Sequence, residues 1–337
     1  MTVTLVEADP EAGFNYPYYL HVPERTEDGP RPILVEPTNT GRPSDEFEVH
    51  REVAAKRVEG GSGRRIAERL SAPFLHPVFP RPASDPVDWT HSVHDLDAET
   101  MRIEGGPLER VDLQLVAMVE DARERLTERG WRIEERFALN GFSASATFAT
   151  RFATLHPDRV SSVSAGGLNG MVTLPIPQIE TTALEHADIA TILGSETLTL
   201  EYPVGIADLA EITGEPFDLE AFRSVDRFLY MGGADRRDSL LYPDAWTDLD
   251  RRVQAILAYG EDVHGDRFPR CAEVYDEVGA PAVFRTYDGV GHRPEPAEDD
   301  VVAFHERSLA GEGVESVRTD LVGPESARSP VGFRFEE

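Results

Sequence analysis

The sequence predicts an α/β fold in which a mostly parallel sheet is covered by helices on both faces. Three observations carry this prediction. Short apolar segments alternate with longer amphipathic segments, turn-rich loops separate them, and hydrophobic residues make up 40% of the 337 residues, enough for an extensive core. Alternating strands and helices imply parallel strands whose following loops meet at the carboxyl edge of the sheet. We therefore expect the functional residues in those loops.

The individual elements follow from the apolar pattern and its period. The predicted strands are 2–6, 16–22, 32–35, 73–79, 137–139, 160–165, 227–231 and 281–287. The first alternates polar and apolar residues and the second is aromatic and β-branched, so we expect an antiparallel pair at one edge. Segment 32–35 is continuously apolar, as in a central strand. The predicted helices are 46–70 with an interruption at 60–63, 113–129, 144–155, 246–259, 271–278 and 296–310.

The regular alternation fails over 168–224, where prolines and glycines divide the chain into short pieces. We therefore predict a core made of residues 1–167 and 225–310, with 168–224 as an insertion. The turn-rich segment 311–337 is a C-terminal extension for which the sequence predicts no structure.

The most informative stretch surrounds Ser143. An apolar strand ends at Asn140 and Gly141, and after Ser143 the apolar residues recur at helical spacing until Pro157 ends the helix. A serine in a sharp turn between strand and helix, with small residues two positions to either side, is typical of a nucleophile elbow. The simpler alternative is a serine that caps a helix.

A second Gly-x-Ser sequence provides an internal comparison. Gly60, Gly61 and Ser62 have the same spacing as the residues at 141–143, but no apolar strand precedes them. We predict a loop there, so the spacing alone is not what identifies Ser143.

A nucleophilic serine needs a base within hydrogen-bond reach and a carboxylate that orients this base. His292 lies between glycines directly after the last predicted strand, at the carboxyl edge. Asp235 and Asp238 both follow the penultimate strand; we favour Asp235 as the acid, with Asp238 as the alternative. The simpler interpretation of each is a solvated loop residue. The order serine, acid, histidine is one of the three known orders of a catalytic triad.

The negative charge that forms on an attacked carbonyl oxygen needs donors already in place. The backbone N–H of Ala144, at the positive end of the predicted helix, is one candidate. The backbone N–H of Asn39, in the loop after the central strand, is the second.

Composition narrows the classes of partner. The formal net charge is -29, with 62 acidic and 33 basic residues, and Lys56 is the one lysine. This balance repels nucleic acid and anionic membranes. Dense carboxylates with arginine in place of lysine resemble proteins of halophiles that accumulate salt; an ordinary acidic protein is the alternative.

Cys271 is the single cysteine, which excludes an intramolecular disulfide and a cysteine-based metal cluster. The first residues lack a basic segment followed by an apolar one, and no apolar run is long enough to span a bilayer. We therefore expect a cytoplasmic location.

With these residues in view, the chain over 16–310 resembles the α/β-hydrolase superfamily. The elbow, the stretch 151–157 after it and the sequence Gly-Val-Gly-His at 289–292 look like its esterase and polyester-depolymerase-like branch. Two features depart from the pattern: Ser145 replaces the last glycine of the elbow, and Thr-Asn-Thr-Gly at 38–41 replaces the common His-Gly loop.

The resemblance implies an α/β-hydrolase fold, a cap formed by 168–224, and hydrolysis of a carboxylic ester of a small acyl substrate without metal or organic cofactor. A thioesterase or a peptidase remains open within the same chemistry, and a non-catalytic binding protein remains open outside it. The sequence predicts neither the acyl length nor the oligomeric state.

Overall fold

The structure is a computed structural model that describes residues 2–24, 29–39, 43–84, 92–168, 171–180, 197–238, 240 and 249–313. Its strands are β1 (Thr2–Val6), β2 (Tyr18–Val22), β3 (Leu34–Val35), β4 (Phe74–Pro77), β5 (Phe137–Phe142), β6 (Val160–Gly166), β7 (Gln178–Glu180), β8 (Thr197–Thr199), β9 (Asp226–Gly232) and β10 (Ala282–Tyr287).

Eight strands form one sheet in the order β1-β2-β4-β3-β5-β6-β9-β10. β2 is antiparallel to both β1 and β4, and all other neighbours are parallel. The predicted mostly parallel sheet is therefore confirmed. Only β1 of the predicted edge pair lies at the edge, because β4 occupies the other side of β2.

Helices cover both faces of this sheet. They are α1 (Phe47–Gly60), α2 (Ser62–Arg69), α3 (Ser92–Asp95), α4 (Ala98–Met101), α5 (Val111–Glu128), α6 (Ala144–Leu155), α7 (Leu209–Thr213), α8 (Leu219–Arg223), α9 (Leu249–Tyr259), α10 (Phe268–Glu277) and α11 (Glu298–Leu309). A π-helical segment (Val263–Arg267) precedes α10, and a 3-10 turn (Glu295–Ala297) precedes α11.

The two faces carry separate apolar cores. Leu34 packs in the cluster under α1, α2 and α11, whereas its neighbour Val35 packs in the larger cluster under α5, α6 and α10. Successive residues of a strand point to opposite faces, so a continuously apolar strand fills both cores.

The predicted interruption at 60–63 is wrong in extent. Gly60 still belongs to α1 and Ser62 already begins α2, so only Gly61 separates the two helices. The N–H of Gly61 donates to the carbonyl of Arg57, and a side-chain carbon on Gly61 would lie 2.6 Å from that oxygen. The absence of a side chain therefore allows the chain to turn within a single residue.

The described parts of 168–224 are irregular, as expected, but they are anchored to the core. β7 and β8 form a separate antiparallel pair, and α7 and α8 follow. Asp208 accepts hydrogen bonds from Arg251 at 2.9 Å and from Arg102 at 3.1 Å. Residues 181–196 lie outside the described part of the chain. The role of this segment as a cap stays a prediction.

Two further observations complete the description. Every helix within the described ranges is either too short or too polar to cross a membrane. The predicted extension at 311–337 lies almost entirely outside the described residues, which end at 313.

Candidate active site

Ser143 lies in a strained turn between β5 and α6. Its backbone has φ 63° and ψ -129°, a conformation that residues other than glycine rarely adopt. A side-chain carbon on Gly141 would lie 2.6 Å from the carbonyl carbon of Ser145 and 2.7 Å from the nitrogen of Ala146. The helix therefore packs so tightly on the strand that position 141 must be glycine.

Ser145 replaces the usual glycine and closes the turn with its hydroxyl. Its Oγ accepts from the N–H of Phe142 and donates to the carbonyl of the same residue, both at 2.9 Å. The side-chain amide of Asn39 donates to that carbonyl as well, at 2.9 Å. This contact ties the loop after β3 to the elbow.

His292 and Asp235 are brought together at the carboxyl ends of β10 and β9. The Nδ1–H of His292 donates to Oδ2 of Asp235 at 2.6 Å, and Oδ1 of Asp235 accepts from the backbone N–H of Arg237 at 3.0 Å. Asp235 is buried, and these are the hydrogen bonds that its carboxylate makes with described residues. The contact leaves Nε2 as the ring nitrogen that is free to accept a proton.

Nε2 of His292 is buried and has no hydrogen-bond partner within the described part of the chain. Burial lowers the pKa of His292 below its ordinary value, and the carboxylate of Asp235 offsets part of this effect. The imidazole is therefore neutral at neutral pH, the state that a general base requires.

Asp238, the alternative acid, lies in a different environment. Its Oδ1 accepts from Nη1 of Arg267 at 2.6 Å and from the backbone N–H of Leu240 at 2.9 Å. Both Asp238 and Arg267 are buried. The structure therefore pairs Asp238 with a guanidinium group and pairs Asp235 with the imidazole.

Ser143 and His292 line the same cavity of about 450 Å³. The ring of Phe142, the residue before the serine, lies 4.7 Å from the imidazole of His292 between centroids. Ser143 itself is half-buried. The three predicted triad residues thus lie at one end of the sheet, although they are far apart in sequence. Asp235 is hydrogen-bonded to His292, whereas Nε2 of His292 makes no hydrogen bond with Ser143.

The predicted oxyanion donors lie beside the serine. Ala144 is the first residue of α6, and no described residue accepts a hydrogen bond from its backbone N–H. Asn39 lines the cavity and is tied to the elbow through its side chain. Both N–H groups therefore remain candidates for binding a developing oxyanion.

The cavity also contains polar residues that the sequence analysis did not single out. Glu36, directly after β3, accepts from Nδ2 of Asn140 at 2.6 Å, and Ser164 donates to Oδ1 of Asn140 at 2.8 Å. His305 continues this row, with its Nε2 2.9 Å from the Ser164 hydroxyl. Burial raises the pKa of Glu36 and lowers the pKa of His305 to about 3. The sequence could have identified Glu36, because this residue directly follows a predicted strand and therefore lies at the carboxyl edge of the sheet.

Among the described residues, no group of three His, Cys, Asp or Glu side chains lies close enough to bind a metal ion. This observation does not test the prediction of a cofactor-free reaction, which stays a prediction. The cytoplasmic location and the oligomeric state are likewise untested.

No family model matches the chain, and a comparison with curated proteins found no relative. Solved structures are similar over most of its length. Poly(aspartic acid) hydrolase-1 from Sphingomonas sp. KT-1 is 18% identical over 88% of this chain and 97% of that chain, with a TM-score of 0.51. S-formylglutathione hydrolase from Agrobacterium tumefaciens is 17% identical over 91% and 94%, with a TM-score of 0.49. The poly(3-hydroxybutyrate) depolymerase LpqC from Bordetella parapertussis is 13% identical over 94% and 92%, with a TM-score of 0.49.

At 18% identity the first of these likenesses bears on the fold and not on the reaction. In this chain, the mostly parallel sheet and the strand-turn-helix geometry around Ser143 are features of the same fold. The predicted fold is therefore confirmed: the protein has the α/β-hydrolase fold.

Proposed function

We propose that the protein is a serine hydrolase that cleaves a carboxylic ester, or a related acyl bond, through an acyl-enzyme intermediate. The observation that carries this proposal is the strained backbone of Ser143 at the mouth of a cavity that His292, paired with Asp235, also lines. Such a conformation costs about 1–3 kcal/mol. Positive φ alone does not identify a nucleophile, since Ser71 also has a positive φ of 52°; Ser143 differs in its place between β5 and α6, beside His292. Such strain is typical of a nucleophile thrust clear of the sheet.

In the first step, Oγ of Ser143 attacks the acyl carbon while Nε2 of His292 takes the hydroxyl proton. The neutral imidazole supports this role. Its Nε2 makes no hydrogen bond with Ser143 here, so the two side chains must approach each other when the substrate binds. Asp235 keeps the other ring nitrogen protonated and stabilises the imidazolium that forms.

The tetrahedral intermediate places a negative charge on the former carbonyl oxygen. We assign its stabilisation to the backbone N–H groups of Ala144 and Asn39, which need no reorganisation as the charge develops. Return of the proton from His292 to the leaving oxygen releases the alcohol. Water then repeats the sequence on the acyl-enzyme and releases the acid.

Several finer points belong to the same proposal. The elbow and the Gly-Val-Gly-His sequence at 289–292 favour the esterase and polyester-depolymerase-like branch of the superfamily, and segment 168–224 is assigned as a cap over a small acyl substrate. The net charge of -29 supports a halophilic origin and argues against nucleic acid or anionic membranes as partners.

Labelling by a fluorophosphonate probe tests the proposal. Such probes react with activated serines, so the wild type should be labelled and Ser143→Ala should not. Ser62→Ala is a matched control, because Ser62 has the same Gly-x-Ser spacing and lines the same cavity but begins a helix after a one-residue break. Its labelling should remain.

Two outcomes would contradict the proposal. Persistent labelling of Ser143→Ala would show that Ser143 is not the nucleophile. A wild type that is neither labelled nor active on esters, thioesters or amides would favour the non-catalytic binding protein. Relative rates on those three classes also distinguish an esterase from a thioesterase or a peptidase.

A further inference from the structure

The cavity beside Ser143 is lined by more cationic than anionic groups, although the chain has 62 acidic and only 33 basic residues. Arg57 comes from the last turn of α1, Arg237 follows Asp235 after β9, and Arg293 follows His292. Arg237 is close enough to His292 to lower the pKa of its imidazole. A local excess of positive charge therefore surrounds the reacting groups.

The guanidinium groups of these three arginines have no hydrogen bond or ion pair with any residue that the structure describes. Elsewhere in the same cavity, Arg65 is paired with Glu298. The side chains of Arg57, Arg237 and Arg293 are exposed, so they are solvated and accessible to a ligand. The helix dipole accounts for Arg57 in the last turn of α1, but Arg237 and Arg293 are in loops.

Two carboxyl groups also line the cavity and do not cancel this charge. Glu36 is buried and already accepts from Asn140 at 2.6 Å. Burial raises its pKa, and the nearby charge of Arg57 offsets part of this effect. Glu295 is exposed at the rim. Two carboxyl groups thus face three guanidinium groups.

A second observation comes from His76, in β4, which lines the cavity near Arg57. It is 1% exposed, and neither ring nitrogen makes a hydrogen bond of acceptable geometry with a described residue, although the backbone of Glu36 is nearby. A buried polar group without a partner costs about 1–3 kcal/mol. A ligand oxygen held by Arg57 would supply the missing partner.

We propose that the preferred substrates are esters that carry a carboxylate group close to the scissile bond, bound by Arg57, Arg237 and Arg293. The inference rests on the proposed function and names the substrate class of the same site. The net charge of -29 repels an anionic substrate at long range. Cationic groups in the lining of the cavity would offset this repulsion where the substrate binds. Guanidinium groups suit a carboxylate because they donate two parallel hydrogen bonds.

The test compares kcat/KM within two matched ester pairs at one fixed salt concentration. Mono-4-nitrophenyl adipate and 4-nitrophenyl hexanoate differ by a carboxylate on the acyl side. 4-(Carboxymethyl)phenyl butyrate and 4-ethylphenyl butyrate differ by a carboxylate on the alcohol side. In at least one pair the charged ester should be preferred by about tenfold, since a hydrogen bond to a charged group contributes roughly a factor of ten or more.

The variants Arg57→Gln, Arg237→Gln and Arg293→Gln, singly and combined, test which groups are responsible. The charged-to-neutral ratio should fall by about tenfold in the combined variant. Arg51→Gln is the matched control, because Arg51 also belongs to α1 but pairs with Glu48. Its ratio should equal that of the wild type.

Hydrolysis of the neutral esters with a ratio at or below one in both pairs would overturn this inference and leave the proposed function intact. A ratio that the combined variant leaves unchanged would do the same. Absence of both fluorophosphonate labelling and ester hydrolysis would instead overturn the proposed function, and the inference with it.

Discussion

Replacing Asp235 by Asn should abolish most activity while leaving the fold nearly intact. In the native protein Oδ2 of Asp235 accepts from Nδ1 of His292 at 2.6 Å, which fixes the proton on Nδ1. The amide of Asn has the same shape, but its NH₂ group can donate to Nδ1. The proton then moves to Nε2, where it blocks the transfer from Ser143.

The expected magnitudes follow from the contacts. Loss of the correct tautomer costs about 10⁴-fold in kcat where this change has been made in a serine hydrolase triad. In the native protein the backbone N–H of Arg237 donates to Oδ1 of Asp235 at 3.0 Å, and the amide oxygen of Asn can accept the same hydrogen bond. The loss in the free energy of unfolding should therefore be limited to about 1 kcal/mol.

Asp238→Asn is the matched control, which should lose stability and keep its activity. Asp238 pairs at 2.6 Å with Arg267, which is 1% exposed, so its neutralisation leaves a buried guanidinium without its counterion. This should reduce the free energy of unfolding by about 3 kcal/mol. Activity per folded molecule should remain close to that of the wild type.

Urea unfolding and kcat, normalised to the folded fraction, measure both effects on the two variants. If Asp238→Asn loses activity while folded and Asp235→Asn retains it, Asp238 is the acid and our assignment is wrong. Equal losses of activity in both would refute the separation of roles.

Four further predictions concern the elbow, the pH dependence of activity, the pH dependence of stability, and salt. Gly141→Ala should lower kcat/KM by at least about 100-fold, because its new methyl would lie 2.6 Å from a backbone carbon and would displace Ser143. Gly29→Ala is the control, since a methyl there would have nothing within 4 Å. Equal effects of the two substitutions would refute the packing argument. The pH profile of kcat/KM should rise with a midpoint below about 6.5, the ordinary pKa of histidine, because burial lowers the pKa of His292; a midpoint above that value would contradict His292 as the buried base. The free energy of unfolding should fall from pH 7 to pH 5. His76 and His305 have a pKa of about 3 in the folded protein, whereas a histidine of the unfolded chain takes up a proton near pH 6.5. Urea titrations should show a loss of about 2 kcal/mol per histidine, and no loss would refute their buried, neutral state. The melting temperature should rise by several degrees from about 0.1 M to 2 M KCl, since salt shortens the Debye length from about 10 Å and screens the charge of -29; a fall would argue against halophilic adaptation.

The sequence was most informative where one rule decided several positions at once. Parallel strands place their following loops at one edge, so the positions of Ser143, Asp235 and His292 along the chain were enough to predict that they meet. The structure brings them to that edge. The sequence left Asp235 and Asp238 open, because both follow the same strand. The structure pairs Asp235 with His292 and Asp238 with Arg267, and the catalytic role of Asp235 stays a prediction.

Other features depend on register, which a single sequence does not reveal. Val35 pairs with Leu75 and Leu139, so the residues that follow these three, His76, Glu36 and Asn140, lie side by side on one face of the sheet. The cationic lining of the cavity is equally non-local, because its three arginines come from distant loops and a helix end. The short helices α3 and α4 were missed because four residues are too few to show a helical period.

The departures of this elbow from the usual pattern compensate for each other. A glycine in place of Ser145 would leave the N–H of Phe142 without the hydroxyl that now accepts from it at 2.9 Å. That hydroxyl also donates to the carbonyl of Phe142, where it meets the side-chain amide of Asn39. The contacts at the Phe142 peptide, next to Ser143, therefore also hold the loop after β3 beside it. Because both candidate donors are positioned relative to one peptide, their spacing is set before substrate binds, which is the condition for electrostatic preorganisation.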